Sequence, residues 1–190
     1  TTDIYTLSLH DALPISEHEI EKVIKDCLRT DFDSKNLDDF QNAVNQAERI
    51  LYLTDNAGEI VFDRLLIEQL PIERVAVVVK GFPAINDATM EDAKAAGLTE
   101  LVEVIDNGSD APGTILETCS GYFQERFEKA DLIIAKGQGN YETLNNIDKN
   151  IFFILKVKCL VIAKDIGCEV GQMILQKTKA FKGEIENARI

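Results

Sequence analysis

Histidine is nearly absent from this chain: His10 and His18 are the two in 190 residues. His10 falls in a leading segment set aside below, and His18 lies far in sequence from every polar motif. Chemistry that needs a histidine base or several histidine metal ligands is therefore close to excluded. Positive charge is scarce as well. Twenty Lys and Arg stand against 33 Asp and Glu, a formal net charge of −13. Nucleic-acid backbone binding requires a basic face, so no nucleic-acid partner is expected. An anionic substrate would have to be attracted locally, by a metal ion and a few lysines. The four cysteines, Cys27, Cys119, Cys159 and Cys168, form no C-x-x-C pair and lie on apolar stretches. They read as buried reduced thiols, which together with the lack of a secretory or membrane-spanning run points to a cytoplasmic protein with no membrane partner. No Pro/Gly/Ser-rich linker or internal repeat marks a second complete domain, and oligomeric state is not legible.

The first sixteen residues do not read as protein. Residues 4–15, IYTLSLHDALPI, back-translate into a DNA string that resembles the universal adapter of short-read sequencing. A native strand or signal segment is the alternative, but a basic leader and a long apolar stretch are both missing. Residues 1–16 are thus expected to be an artefact, and the true amino-terminal part of the gene product to be missing. Without Asp3 and Asp11 the net charge is two units less negative. Ser16 and Glu19 then make a capping-box pattern ahead of Ile20, Val23, Ile24, Cys27 and Leu28 at helical spacing. A second helix is expected over 37–48, with Leu37, Phe40, Val44 and Ala47 inward, so that residues 17–49 form the remnant of a helical region.

From residue 50 the pattern changes to short apolar runs separated by helical stretches. The runs are ILYL (50–53), VAVVV (75–79), LVEVI (101–105), LIIA (132–135) and IFFILKV (151–157). Helices are expected near 58–70, 89–96, 113–129, 141–146 and 167–176. Near-continuous Val/Ile/Leu strands alternating with crossovers imply an α/β domain over 50–190, a mostly parallel sheet with helices on both faces.

Polar motifs follow three of these strands, and in a parallel sheet such loops share one edge. After the first come Asp55, Asn56, Gly58 and Glu59. Asp55 and Gly58 suit a plain helix cap and turn; equally, Asp55 and Asn56 offer a carboxylate and an amide oxygen to a cation. After the second come Asn86 and Asp87, again a cap or again a ligand, and the repetition favours a ligand. Glu91 and Asp92 fall within the helix and are expected to face solvent. After LIIA come Lys136, Gly137, Gly139 and Asn140. A lysine leaving a buried strand needs an anion, either Asp55 or Asp87 in a structural pair or a phosphoryl group, and the latter is favoured. Asp106 to Asp110 reads as a solvated loop that could instead cover the site. Lys156, Lys158 and Lys164 either approach the site or solvate a strand end. No G-x-G-x-x-G follows the first strand and no Walker-type loop occurs, which weakens nucleotide-cofactor readings.

The ordered set TDNAGEIVFD (54–63), VKGFPAINDATMEDA (79–93), DLIIAKGQGNYE (131–142) and LKVKCLVIAKDIG (155–167) resembles the damage-control phosphatase family, formerly domain of unknown function eighty-nine, and most of all its stand-alone microbial branch. The resemblance runs from about residue 50 to the end. It implies a Rossmann-like α/β fold and a metal-dependent phosphatase acting on sugar phosphates and other phosphometabolites. By motif, it implies metal ligation by Asp55, Asn56 and Asp87, and a substrate pocket holding Lys136, Asn140, Glu59 and Asn86. Such proteins carry a helical amino-terminal region of which only the tail is expected here. The function read from these residues is phosphomonoester hydrolysis with Mg²⁺, Mn²⁺ or a similar ion on oxygen ligands, and with Asp55 and Lys136 as the catalytic residues. Whether Asp55 or an activated water attacks is open. The rivals are an S-adenosylmethionine-dependent methyltransferase, disfavoured by the missing Gly-rich loop, and a non-catalytic metabolite-binding module.

Overall fold

The computed structural model describes residues 34–179, which belong to one compact unit. The leading segment, the capping-box helix, Cys27 and both histidines lie outside the described residues. Six strands, β1 (Ile50–Leu53), β2 (Val75–Val79), β3 (Glu103–Asp106), β4 (Leu132–Lys136), β5 (Ile151–Lys156) and β6 (Met173–Lys177), form one sheet in the order β3-β2-β1-β4-β5-β6. The first five are parallel and β6 runs antiparallel to β5. The helices are α1 (Ser34–Gln46), α2 (Ile60–Ile67), α3 (Met90–Ala95), α4 (Gly121–Lys129), α5 (Gly137–Leu144) and α6 (Leu160–Ile166).

The four inner strands β1, β2, β4 and β5 are apolar almost throughout because both faces of the sheet are covered there, whereas the edge strands β3 and β6 are only partly buried and carry polar residues. Tyr52, Val77, Ile134 and Phe152 point to one face, where Phe40 and Val44 of α1, Ile60 and Ile67 of α2 and Ala93 of α3 close over them. Leu51, Val78, Ile133 and Phe153 point to the other, under Phe123 and Phe127 of α4, Tyr141 and Leu144 of α5 and Ile162 of α6. Aromatic edges lock both layers, Phe40 on Phe152 with centroids 5.4 Å apart and Tyr141 on Phe153 at 5.1 Å. Each such buried side chain contributes about 1.5–3 kcal/mol. Leu37, expected inward, is instead exposed at the outer side of α1.

Three helix expectations are corrected. The stretch over 113–129 becomes helical only at Gly121: Gly113 takes a positive φ of 70°, a 3₁₀ turn spans Leu116–Thr118, and the Ser120 side chain caps α4 by accepting from the Phe123 amide at 3.2 Å. The helix expected at 141–146 starts at Gly137, so of the KGQGN stretch read as a loop Lys136 ends β4 and GQGN is the first turn of α5. The helix expected at 167–176 is not there. α6 lies earlier and stops at Gly167, whose φ of 85° is the left-handed helix stop; Gly171 (φ 96°) then turns the chain back, and β6 adds a sixth strand. Of the thiols, Cys119 is buried, whereas Cys159 and Cys168 are half-buried. Among the described residues no helix is long and apolar enough to cross a membrane.

From β1 the chain winds outward through β2 and β3, then returns to β4 on the other side of β1. The connections leaving β1 and β4 therefore part in opposite directions and open a crevice above their carboxyl ends, where ligands of this sheet type bind.

Candidate active site

Backbone pairing places the first two motifs side by side. Thr54 is held to β2 by its amide and hydroxyl, which donate to the Val78 carbonyl at 3.1 and 2.8 Å. The next residues then pair with the loop after β2: Asn56 and Asp87 form an antiparallel bridge, the Ala57 amide donates to the Asn86 carbonyl at 2.8 Å, and the Ala88 amide donates to the Asp55 carbonyl at 2.8 Å. Asp55, Asn56 and Asp87 thus occupy one stitched corner. The Asp55 carboxylate rests on the start of α5, where a β-carbon added to Gly137 would fall 2.1 Å from its carboxyl carbon. Asn56 Nδ2 donates to Asp55 Oδ2 at 2.7 Å and reaches Glu59 Oε2 at 3.4 Å.

The electrostatics of this corner are strained in one direction. Burial, then the neighbouring carboxylates of Glu59 and Asp87, push the Asp55 carboxyl up to about 6, against the pull of Lys158 and Lys136. Burial also raises Asp87, opposed by Lys80, whose Nζ lies 3.4 Å from Asp87 Oδ2. Asn56 spends its amide hydrogens on carboxylates, which leaves its Oδ1 without a hydrogen-bond partner among the described residues. Two crowded carboxylates and a free amide oxygen are the donor set of a hard divalent cation. Among the described residues no three Asp, Glu, His or Cys side chains cluster as a ligand set, so a cation here depends on the Asn56 oxygen.

Lys136, the last residue of β4, is buried, and its Nζ donates to Asp63 Oδ1 at 2.8 Å and to Glu59 Oε1. Its partners are thus neither Asp55 nor Asp87. Asp63 was not singled out from the sequence, although it sits one turn after Glu59 on the α2 face that also buries Ile60 and Ile67. An acid at an apolar helix position was the available signal. Lys80 was also passed over: it is buried, and its Nζ donates to the carbonyls of Ala111, at 2.7 Å, and Gly113.

The remaining positions divide. Asn140 is brought to the crevice, but its amide is committed: Nδ2 donates to the carbonyls of Thr54 at 3.1 Å and Lys136 at 2.8 Å, and Oδ1 accepts from the Thr114 hydroxyl at 2.7 Å. Asn86 is exposed and joins the corner through its carbonyl. Asp92 closes a capping box with Thr89 rather than facing solvent freely. The loop after β3 is solvated only in part: Asp106 and Asp110 are exposed, but the residues between them turn inward. Asn107, Ser109 and Thr114 are buried, and Asn107 Oδ1 accepts from the amides of Gly81 and Ser109, both at 3.0 Å. Of Lys156, Lys158 and Lys164, the charge of Lys158 reaches Asp55.

The chain matches the damage-control phosphatase ARMT1-like domain over residues 3–174. The chain belongs to this family. It is 48% identical over 167 residues to damage-control phosphatase PH1575 of Pyrococcus horikoshii, an alignment covering 86% of this chain and 57% of that protein. It is 44% identical over 130 residues to a damage-control phosphatase of Archaeoglobus fulgidus, covering 66% and 45%. The crystal structure of the DUF89 family protein PH1575 from Pyrococcus horikoshii superposes with a TM-score of 0.78 at 41% identity, covering 88% of this chain and 60% of that one. The chain spans about half the length of the curated relatives it matches.

Proposed function

We propose that this chain carries the site of a metal-dependent phosphatase that hydrolyses phosphomonoesters of small metabolites such as sugar phosphates, in the cytoplasm. One observation carries the reading: backbone pairing joins Asp55 and Asn56 to Asp87 at the crevice of the sheet, where the Asn56 amide reaches Asp55 and Glu59, and Glu59 in turn meets the buried Lys136. A divalent cation such as Mg²⁺ or Mn²⁺ held by Asp55, Asn56 and Asp87 would supply Lewis-acid polarisation of the phosphoryl oxygens. Lys136 offers the ammonium that offsets phosphoryl charge, and Asp55, pressed against Gly137, is the carboxylate assigned to the reaction itself. Glu59 faces the mouth, where the rest of a substrate would lie. Asn140 and Asn86 serve that pocket by fixing its walls, since the Asn140 amide is engaged and Asn86 acts through its carbonyl. The names of the Pyrococcus and Archaeoglobus relatives support a phosphatase over the methyltransferase and binding-module alternatives.

The test is phosphate release from a panel of phosphomonoesters with divalent cations, with and without chelator. Release abolished by chelator is expected, and Lys136→Met, which keeps the stem, should cost about 2–4 kcal/mol in kcat/KM, the loss of one strong electrostatic donor. Chelator-insensitive release, methyl transfer, or tight metabolite binding without turnover would refute the reading.

A further inference from the structure

Tyr52, Asp63, Lys136 and Glu59 form a row of hydrogen bonds from the sheet interior to the mouth of the crevice. The fully buried Tyr52 hydroxyl donates to Asp63 Oδ1 at 2.8 Å, Lys136 Nζ donates to that same oxygen at 2.8 Å, and the ammonium also donates to Glu59 Oε1. Glu59 in turn reaches Asn56 at the candidate cation corner. The third ammonium hydrogen has no protein partner among the described residues.

The two carboxylates on Lys136 are not equivalent. The Asp63 side chain is 2% exposed, whereas that of Glu59 is 38% exposed. An anion arriving from solvent can displace Glu59, whose carboxylate then rehydrates at little cost. It cannot reach Asp63, and separation of Asp63 from Lys136 would leave two buried charges without partners. Four rotatable bonds would otherwise let the lysine wander. With one ammonium hydrogen fixed on Asp63 Oδ1, the other two are confined to directions on the mouth side of that bond.

We propose that Asp63 is a positioning residue: it is the permanent counter-ion that fixes the Lys136 ammonium, with Tyr52 holding Asp63 from behind, while Glu59 is the exchangeable partner that yields its place to a phosphoryl group. This rests on the reading of Lys136 as a phosphoryl contact. It assigns to α2 a part in the site beyond its packing: Asp63 accepts both hydrogen bonds on Oδ1, while its Oδ2 is buried without a partner among the described residues.

The test is calorimetric titration of the full chain with inorganic phosphate in excess Mg²⁺, with thermal unfolding measured in parallel. Lys136→Met should weaken phosphate about tenfold or more, the loss of a charge-assisted hydrogen bond, and Asp63→Asn should do the same although the lysine is intact. Glu59→Gln should bind phosphate more tightly than the wild type, because a competitor for the ammonium is gone, and unchanged affinity there counts against the exchange. These opposite signs are what a purely structural ion pair would not produce. A folded Asp63→Asn variant with wild-type affinity overturns the inference alone, and Glu59→Gln losing tenfold makes Glu59 the anchor and overturns it too. If Asp63→Asn does not fold, Tyr52→Phe, which removes the hydrogen bond holding Asp63 from behind, should weaken phosphate several-fold, and wild-type affinity in that folded variant overturns the inference. Unchanged affinity in Lys136→Met instead overturns the phosphoryl reading, and the inference falls with it.

Discussion

Asp55 holds a costly charge in the crevice. Burial, and after it the charges of Glu59 and Asp87, hold its carboxyl at about 6 in the folded chain against 3.8 ordinarily, although the Asn56 amide donates to it. A raised carboxyl binds its proton more tightly when folded, and the sign follows: in chelator, this group favours folding most below pH 4, and that contribution is lost as pH rises through about 6. The swing is about 2–3 kcal/mol at one pKa unit per 1.4 kcal/mol, less what solvent screens. A divalent cation on Asp55, Asn56 and Asp87, as proposed, would compensate the buried charge, so Mg²⁺ should raise the unfolding midpoint far more at pH 7 than at pH 4. Chemical denaturation across that range, in chelator and in Mg²⁺, checks both halves, and Asp55→Asn should flatten the profile. A flat profile in wild-type chelated protein would sink the argument.

Elements were legible where burial forces a pattern and illegible where it does not. Four of the apolar runs became strands because both sheet faces bury them; the 101–105 run, at the sheet edge, is a strand only from Glu103 and is mostly unburied, while Asp55, Asn56 and Lys136 lie at strand ends and Asp87 in the loop after β2. The α6–β6 region misled because Leu160 and Val161 are 70% and 74% exposed: apolar residues that bury nothing carry no usable period. Asp63 and Lys80 escaped for the converse reason, since a buried charge looks like a surface charge in sequence. Glycine was equally ambiguous, because Gly137 and Gly167 have similar left-handed φ values of 81° and 85° but different surroundings. A β-carbon at Gly167 meets nothing within 4 Å, while one at Gly137 meets the Asp55 carboxylate. Gly167→Ala should therefore cost about 1–2 kcal/mol of backbone strain and leave Mg²⁺ affinity intact. Gly137→Ala should cost more and weaken Mg²⁺ binding, because Asp55 must move. Equal stability losses with equal metal affinities would show that Gly137 is not the seat of that carboxylate.

At the scale of the whole molecule, an acidic chain presents its cations to the crevice by building them into strand ends, Lys80 after β2 and Lys136 on β4, where burial and carboxylates hold them. The sheet order makes this possible, but it also leaves a seam where β1 and β4 part, and something must tie the loops across it. Asn140 does so. From the first turns of α5 it binds the carbonyl after β1, the carbonyl ending β4 and the hydroxyl of Thr114 in the loop after β3, three parts of the chain distant in sequence. An asparagine read from its motif as a substrate contact is thereby a staple, with no amide hydrogen left for a ligand. Asn140→Ala leaves two buried carbonyls and a hydroxyl without that partner, and should lower stability by about 2–4 kcal/mol, whereas Thr114→Val removes one of the three bonds and should cost about 1 kcal/mol. Urea unfolding midpoints of the two variants settle the comparison. If Asn140→Ala lost no more than Thr114→Val, the seam would be held by the backbone pairing of residues 55–57 with 86–88 alone, and Asn140 would return to the substrate pocket.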